Sequence, residues 1–202
     1  MNALKGKLMP QRDHTWLVQS IAFFRELHFF QQFAHLSNEA LASELLRKWQ
    51  EMFDTPLDLS RPYTDLDIVM WDTERVWWED LEADVCAGND IYIETLERWG
   101  KISRGSLQPL HIRERWASAT GPIRVDFEHQ GQHLIVHPAY LDDYIDINIL
   151  PPINRAMQQS GIELVVYKPF DQTAFVVALT SEERRALEFR RGWQFAELAS
   201  TT

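Results

Sequence analysis

The sequence predicts an α+β fold: a helical N-terminal half, then two β-hairpins alternating with helices in the order ββαββα, with an antiparallel sheet of about four strands. Three observations carry this prediction. Apolar residues recur at helical spacing through the first hundred or so positions, the period falls to two beyond Gly121, and each downstream strand pair is followed by a helix signal. No repeat, low-complexity tract or Gly/Ser linker interrupts residues 1–202. The chain therefore reads as one domain, with residues 1–13 a loose leader, 14–120 mainly helical and 121–202 the ββαββα portion.

In chain order, Trp16 to His35 carries Leu17, Ile21, Phe24 and Leu27 on one stripe and Phe23, Phe30 and Ala34 beside it, which predicts a central helix. Ser37 suits an N-cap with Glu39 in the first turn, and Leu41, Leu45, Trp49 and Met52 form the stripe of a second helix, so that the two make a hairpin. Leu66, Ile68 and Met70 alternate as in a short strand. Trp77, Leu81 and Val85 repeat every four residues, predicting a helix closed at Gly88, and Asn89 suits the cap of another containing Tyr92, Leu96 and Trp99.

Pro122–His129 and His133–His137 read as a hairpin across Gln130 and Gly131, with Phe127 opposite Leu134 and Val125 opposite Val136. A helix over Ile153–Ser160 ends at Gly161, and Ile162–Tyr167 and Thr173–Leu179 form the second strand pair. Thr180 and Glu183 have the capping-box spacing of a last helix, which runs to Arg191 before Gly192.

The 202 residues are 45% hydrophobic and carry a formal charge of -10, as expected of a globular chain with one sizeable core. The longest wholly apolar stretch, Ala174–Leu179, is far shorter than the roughly 18–20 residues a membrane span needs. The single cysteine, Cys86, excludes an internal disulfide framework and agrees with a reducing cytoplasm. Between Asp65 and Glu97 stand eleven acids and one base, Arg75; the rest of the chain holds nineteen of each sign. The whole excess charge thus comes from about a sixth of the length, which suits a basic partner and argues against nucleic acid. The acids also read as a solvated face with partners among the bases of residues 98–124.

His129, His133 and His137 recur every four residues, but on hairpin strands His133 and His137 stand about 13 Å apart, so neither a metal nor another cofactor is expected there. His28 and His35 are expected at the core edge, bonded to backbone. Asp80 and Asp84 share a helix face in the predicted register, and Asp84, near the Trp77 and Leu81 stripe, is expected to be partly buried in a salt bridge. Asp142, Asp143 and Asp146 form a second acidic cluster. Trp78, flanked by Glu79 and Glu82, reads either as an exposed anchor in an acidic rim or as a residue covered by a further layer. No nucleophile elbow, Walker loop or dinucleotide fingerprint occurs.

Several segments resemble uncharacterised bacterial proteins associated with immunity to polymorphic toxins: residues 77–85 from Trp77 to Val85, 88–92 from Gly88 to Tyr92, 96–105 from Leu96 to Gly105, 121–125 from Gly121 to Val125, and the ending with Leu179–Glu183 and Arg191–Phe195. These are packing and turn motifs, so no functional residue is carried over. The resemblance implies a small acidic cytoplasmic protein that binds and blocks a co-encoded toxin, often a basic nuclease.

Two functions follow. The first is a non-enzymatic binding protein that docks a basic partner through Trp78, Glu79, Asp80, Glu82 and Asp84, extended by Asp142, Asp143 and Asp146. The second is a hydrolase or small-ligand enzyme using Asp80 and Asp84 with a hairpin histidine. Oligomeric state is not encoded in these patterns.

Overall fold

A computed structural model of the chain describes residues 11–59, 61, 63–168 and 172–198. Among them are six α-helices and seven strands in two antiparallel sheets, so the α+β class is as expected. The contacts divide the chain into two compact units, Met1–Asp72 and Thr73–Thr202, where a linker-free sequence suggested one domain. Most of the expected leader, residues 1–10, lies outside the described residues, while Gln11 already opens a helix.

The smaller unit is built on a helical hairpin of α1 (Gln11–Glu26) and α2 (Asn38–Phe53). The first helix stops nine residues short of His35 because His28 and Phe30 take left-handed backbone, with φ of 63° and 64°. That turn packs Phe29 and Phe30 edge-on and tilted around Phe24, with Phe24 and Phe29 centroids 5.5 Å apart. The Phe30 N–H donates to the buried Asp72 carboxylate at 2.6 Å, and Arg25 donates to Asn38 Oδ1 and to the Phe33 carbonyl, both at 2.8 Å. His28 and His35 are exposed, which corrects their core-edge placement. Ser37 caps α2 by accepting from the Ala40 N–H, and Leu41, Leu45 and Trp49 are buried, whereas Met52 is exposed.

Residues 66–71, read as a strand, instead form most of α3 (Thr64–Val69) and the turn after it. Leu66, Val69 and Met70 are all buried, the i, i+3, i+4 signature that a two-residue alternation had masked.

In the larger unit, the segment expected as a helix at Trp77–Val85 begins with strand β1 (Val76–Asp80). Two adjacent tryptophans fit a pleat, which sends them to opposite faces. Trp77 turns inward against Trp99, ring centroids 5.8 Å apart at 89°, and Trp78 stacks on Phe175 at 6.2 Å. Leu81 and Val85 are buried through the loop that follows, so their four-residue spacing was coincidental.

Helix α4 (Ile91–Ile102) comes next, with Asp90 rather than Asn89 at its N-cap. The stretch expected to be helical then yields another strand, β2 (Leu110–Trp116), whose register slips near His111 at φ 54°.

The hairpin of β3 (Ile123–His129) and β4 (Gln132–Val136) has the expected register, Phe127 opposite Leu134 and Val125 opposite Val136. Helix α5 (Leu150–Met157) continues through a 3-10 turn to Gly161, whose φ of 72° suits glycine at a helix end. Then follow β5 (Ile162–Lys168), β6 (Thr173–Thr180), α6 (Ser181–Arg191) and the short β7 (Gln194–Phe195). The two hairpins lie in separate sheets: β1-β6-β5-β7, and β2-β3-β4. Their inner faces share one core with α4 and α5, in which Tyr92, Leu96, Trp99, Phe127, Val166 and Val176 are fully or almost fully buried.

Glu183 joins several parts of this unit. As the third residue of α6 it accepts the Thr180 N–H at 2.8 Å while Thr180 Oγ1 accepts the Glu183 N–H at 3.1 Å, completing the capping box. The same carboxylate meets Arg75 at 3.1 Å and Arg104 at 3.0 Å, and Arg75 donates to the Ala178 carbonyl at 2.8 Å. Because both Arg75 and Glu183 are buried, removing one strands a charge. Glu183→Ala is expected to destabilise the protein by about 3–5 kcal/mol in urea unfolding. Glu183→Gln, which keeps an acceptor for Thr180 but not the charge, should recover only the capping share of about 1 kcal/mol.

Candidate functional site

The expected acidic residues come from three elements of the larger unit. Trp78, Glu79 and Asp80 belong to β1, Glu82 and Asp84 to the loop after it, and Asp142, Asp143 and Asp146 to the segment before α5. An isolated bridge between Glu82 and Tyr144, with the Ala83 N–H donating to the Asp143 carbonyl at 2.8 Å, joins the second and third groups. The chain therefore assembles Asp80, Glu82, Asp84, Asp142 and Asp143 along neighbouring segments without the helix that was to present them. All five are exposed, including Asp84, which was expected to be partly buried in a salt bridge. No lysine, arginine or histidine lies within ion-pair distance of these five carboxylates among the described residues.

Local hydrogen bonds organise the cluster. Asp80 Oδ1 accepts the Glu82 N–H at 3.0 Å; Glu82 Oε2 accepts from Gln172 at 2.5 Å and from the Tyr144 hydroxyl at 3.5 Å. Asp84 takes left-handed backbone at φ 51°, and its carbonyl accepts from the Asn89 side chain. Trp78 is half-buried against Phe175, between the exposed anchor and the covered residue that its sequence context allowed.

Other members of the acidic block do different work. Glu79 pairs with Arg98 of α4. Asp146 is buried, accepting from the Ala139 N–H at 2.8 Å and from the Asn148 N–H and side chain at 3.0 and 2.9 Å, while its own N–H donates to the Tyr92 hydroxyl at 3.0 Å. It shapes the loop that carries Asp142 and Asp143 and presents no charge to solvent, a correction to its place among the surface acids. Burial also pushes the Tyr92 phenol above its ordinary pKa. In the smaller unit, burial raises Asp67, partly offset by Arg61.

The residues proposed for acid-base chemistry do not share the expected scaffold. Asp80 stands on a strand and Asp84 in the following loop, so no helix face aligns them. His129 is buried with Nδ1 accepting the Gln108 N–H at 3.2 Å, His133 faces Asp126 at 3.6 Å, and His137 is exposed beyond β4. No group of three or more His, Cys, Asp or Glu among the described residues is arranged to hold a metal ion. A cleft of about 790 Å³ beside β5 is lined by Asn154, Arg155, Glu163 and Arg184, with none of Asp80, Asp84 or the hairpin histidines among its lining residues.

A second charged constellation was not foreseen, although the predicted hairpin register held its signal. Arg124, Asp126 and His133 project from the same outer face, and β2 adds Arg115. Asp126 lies 3.2 Å from Arg115, 3.3 Å from Arg124 and 3.6 Å from His133. Burial pushes its pKa up, but the Arg124 hydrogen bond, the charges of Arg115 and Arg124 and the His133 hydrogen bond outweigh burial and hold it below the ordinary value of 3.8.

Compared with known protein families, curated proteins and solved structures, the chain finds no significant match.

Because the folded-state pKa of Asp126 is depressed, its stabilisation is complete above the unfolded-state value near 3.8 and is lost as pH falls through the lower folded-state value. Asp126→Asn should therefore lower stability at pH 7 and flatten the acid limb of a stability profile measured by urea unfolding. An unchanged profile below pH 4 would remove Asp126 from the acid response.

Proposed function

We propose that the protein is a non-enzymatic, cytoplasmic protein-binding protein that engages a basic partner through the acidic surface of its larger unit. The observation that carries this reading is the set of exposed, uncompensated carboxylates Asp80, Glu82, Asp84, Asp142 and Asp143, gathered by the Glu82–Tyr144 bridge. Arg75, the one base in the acidic block, is buried against Glu183 and does not neutralise them. Desolvating one carboxylate at such a surface is costly unless the partner supplies a cation, so the patch selects Lys or Arg and repels phosphate. The half-buried Trp78 and Phe175 pair supplies apolar area beside that charge. Neutralisation of a basic bacterial toxin, as an immunity protein, is the specific form of this function that the sequence resemblance suggests.

The test mixes the full chain with the product of the adjacent gene and follows association at low and high salt. A complex is expected whose association rate falls by about tenfold or more when Asp80, Glu82 and Asp142 are changed to Lys, with the wild-type rate falling as salt rises. Absence of a complex at low salt, or indifference to the three reversals, would overturn the proposal.

A further inference from the structure

The four-stranded sheet has two edges, treated differently. On the far side, where the two-residue β7 pairs only with Tyr167 and Lys168 of β5, several outward main-chain groups of β5 find partners: the Ile162 N–H donates to Ser160 Oγ at 3.1 Å, and the Val166 carbonyl accepts from the Ala196 N–H at 2.8 Å. Between them the Asn154 side chain imitates a strand, accepting the Leu164 N–H and donating to the Leu164 carbonyl, both at 2.9 Å.

The other edge is β1. The Arg75 carbonyl accepts from the Ala178 N–H at 3.0 Å and the Leu81 N–H donates to the Gln172 carbonyl at 2.6 Å, so the odd-numbered residues bond toward β6. Antiparallel alternation then turns the N–H and C=O groups of Val76, Trp78 and Asp80 away from the sheet. None of those main-chain groups has a hydrogen-bond partner among the described residues. A strand edge left in this state is a template for another chain.

We infer that β1 is a docking edge, and that an extended segment of the partner, rich in Lys or Arg, pairs with it as an added strand of the sheet. This inference rests on the charge reading above and specifies its geometry. Charge complementarity identifies the occupant. Asp80 lies on the open edge and Glu82, Asp142 and Asp143 continue from its end, all without a cationic partner, so an added strand carrying Lys or Arg on alternate residues meets carboxylates on one of its faces. Its intervening apolar residues would lie beside Trp78 and Phe175. In the three-stranded sheet, edge strands β2 and β4 carry Arg113 and Arg115 and His133 respectively, which disfavour the same segment. A second copy of this chain would bring its own acids to the edge and be repelled.

The experiment uses the full chain and a short labelled peptide of alternating lysine and valine, with a lysine–glycine peptide of equal charge as control. Trp78→Ala removes the ring and keeps the N–H, whereas Trp78→Pro also removes the donor and places its ring in the path of the added strand. Proline is tolerated here because that N–H does not pair with β6, and circular dichroism verifies the fold. Binding of the lysine–valine peptide should be about tenfold weaker in Trp78→Pro than in Trp78→Ala. Amide exchange at Val76, Trp78 and Asp80 should be fast in the free chain and slowed by that peptide.

If both peptides bind equally, Trp78→Pro equals Trp78→Ala, and the reversals of Asp80 and Glu82 still weaken binding, the docking edge is overturned and the charge reading stands. Slow exchange of the three amides in the free chain would likewise overturn the edge alone. Failure of both peptides to bind at low salt, with no complex from the adjacent gene's product, overturns both.

Discussion

The buried Arg75–Glu183 pair is the constraint on which the larger unit turns. It ties the residue before β1 to the first turn of α6, and through the Ala178 carbonyl to the adjoining β6, so one charged junction joins the start of β1 to a strand and helix more than a hundred residues later. Desolvating both groups is costly, and the cost is offset by their mutual attraction, by Arg104 and by the capping-box hydrogen bonds. The consequence for the surface is as important as that for the core. Arg75 is the only base among residues 65–97, and its withdrawal into the interior leaves Asp80, Glu82 and Asp84 to face solvent without an ion-pair partner among the described residues, while Glu79 pairs with Arg98.

Strand order then decides where those acids appear. Had β1 been placed between two other strands, its outward main-chain groups would be paired and its side chains divided between covered faces. Pairing with β6 alone puts it at an edge, where Asp80 and the loop to Asp84 leave the sheet. Charge on an edge strand ordinarily protects against indiscriminate strand pairing. The same charge makes the edge selective, since a segment of opposite sign removes the repulsion that excludes all others. The contrast with β5, where Asn154 occupies the corresponding groups, shows that this fold has local means to close an edge.

Much of the architecture was legible where several local signals coincided. The β3–β4 register followed from burial of Val125, Phe127, Leu134 and Val136 on one face, and the α6 cap from the Thr180 and Glu183 spacing. Reading failed where one periodicity had two explanations. Trp77, Leu81 and Val85 repeat every four residues, yet only Trp77 among them lies in a strand, and the other two are buried by the loop. Leu66, Ile68 and Met70 alternate, yet Val69 is buried as well and the segment is helical. β2 carries only a weak alternation, Leu110, Ile112 and Trp116 interrupted by Glu114 and set between His111, Arg113 and Arg115, and its half-buried face is defined by pairing with β3 across the sheet. The site was legible as composition but not as geometry: the acids were identifiable, whereas their assembly through the Glu82–Tyr144 bridge and the burial of Asp146 depend on contacts between segments about sixty residues apart.

That assembly also changes how the net charge should be understood. Viewed along the chain, the bases of residues 98–124 offset part of the acidic block that precedes them. In the fold Arg98 stays with Glu79, but Arg113, Arg115 and Arg124 belong to β2 and β3, gathered in part around Asp126, while Asp80, Glu82, Asp142 and Asp143 lie at the β1 end of the other sheet. Exposed charges are screened over about 8 Å at physiological salt, so a group approaching either region responds chiefly to the charges within that distance. The total of -10 therefore describes solubility and long-range drift better than recognition. The recognition proposed at β1 rests on a short row of carboxylates set beside main-chain donors and acceptors unpaired among the described residues, and a globular basic surface lacking an extended segment would satisfy only the first of these.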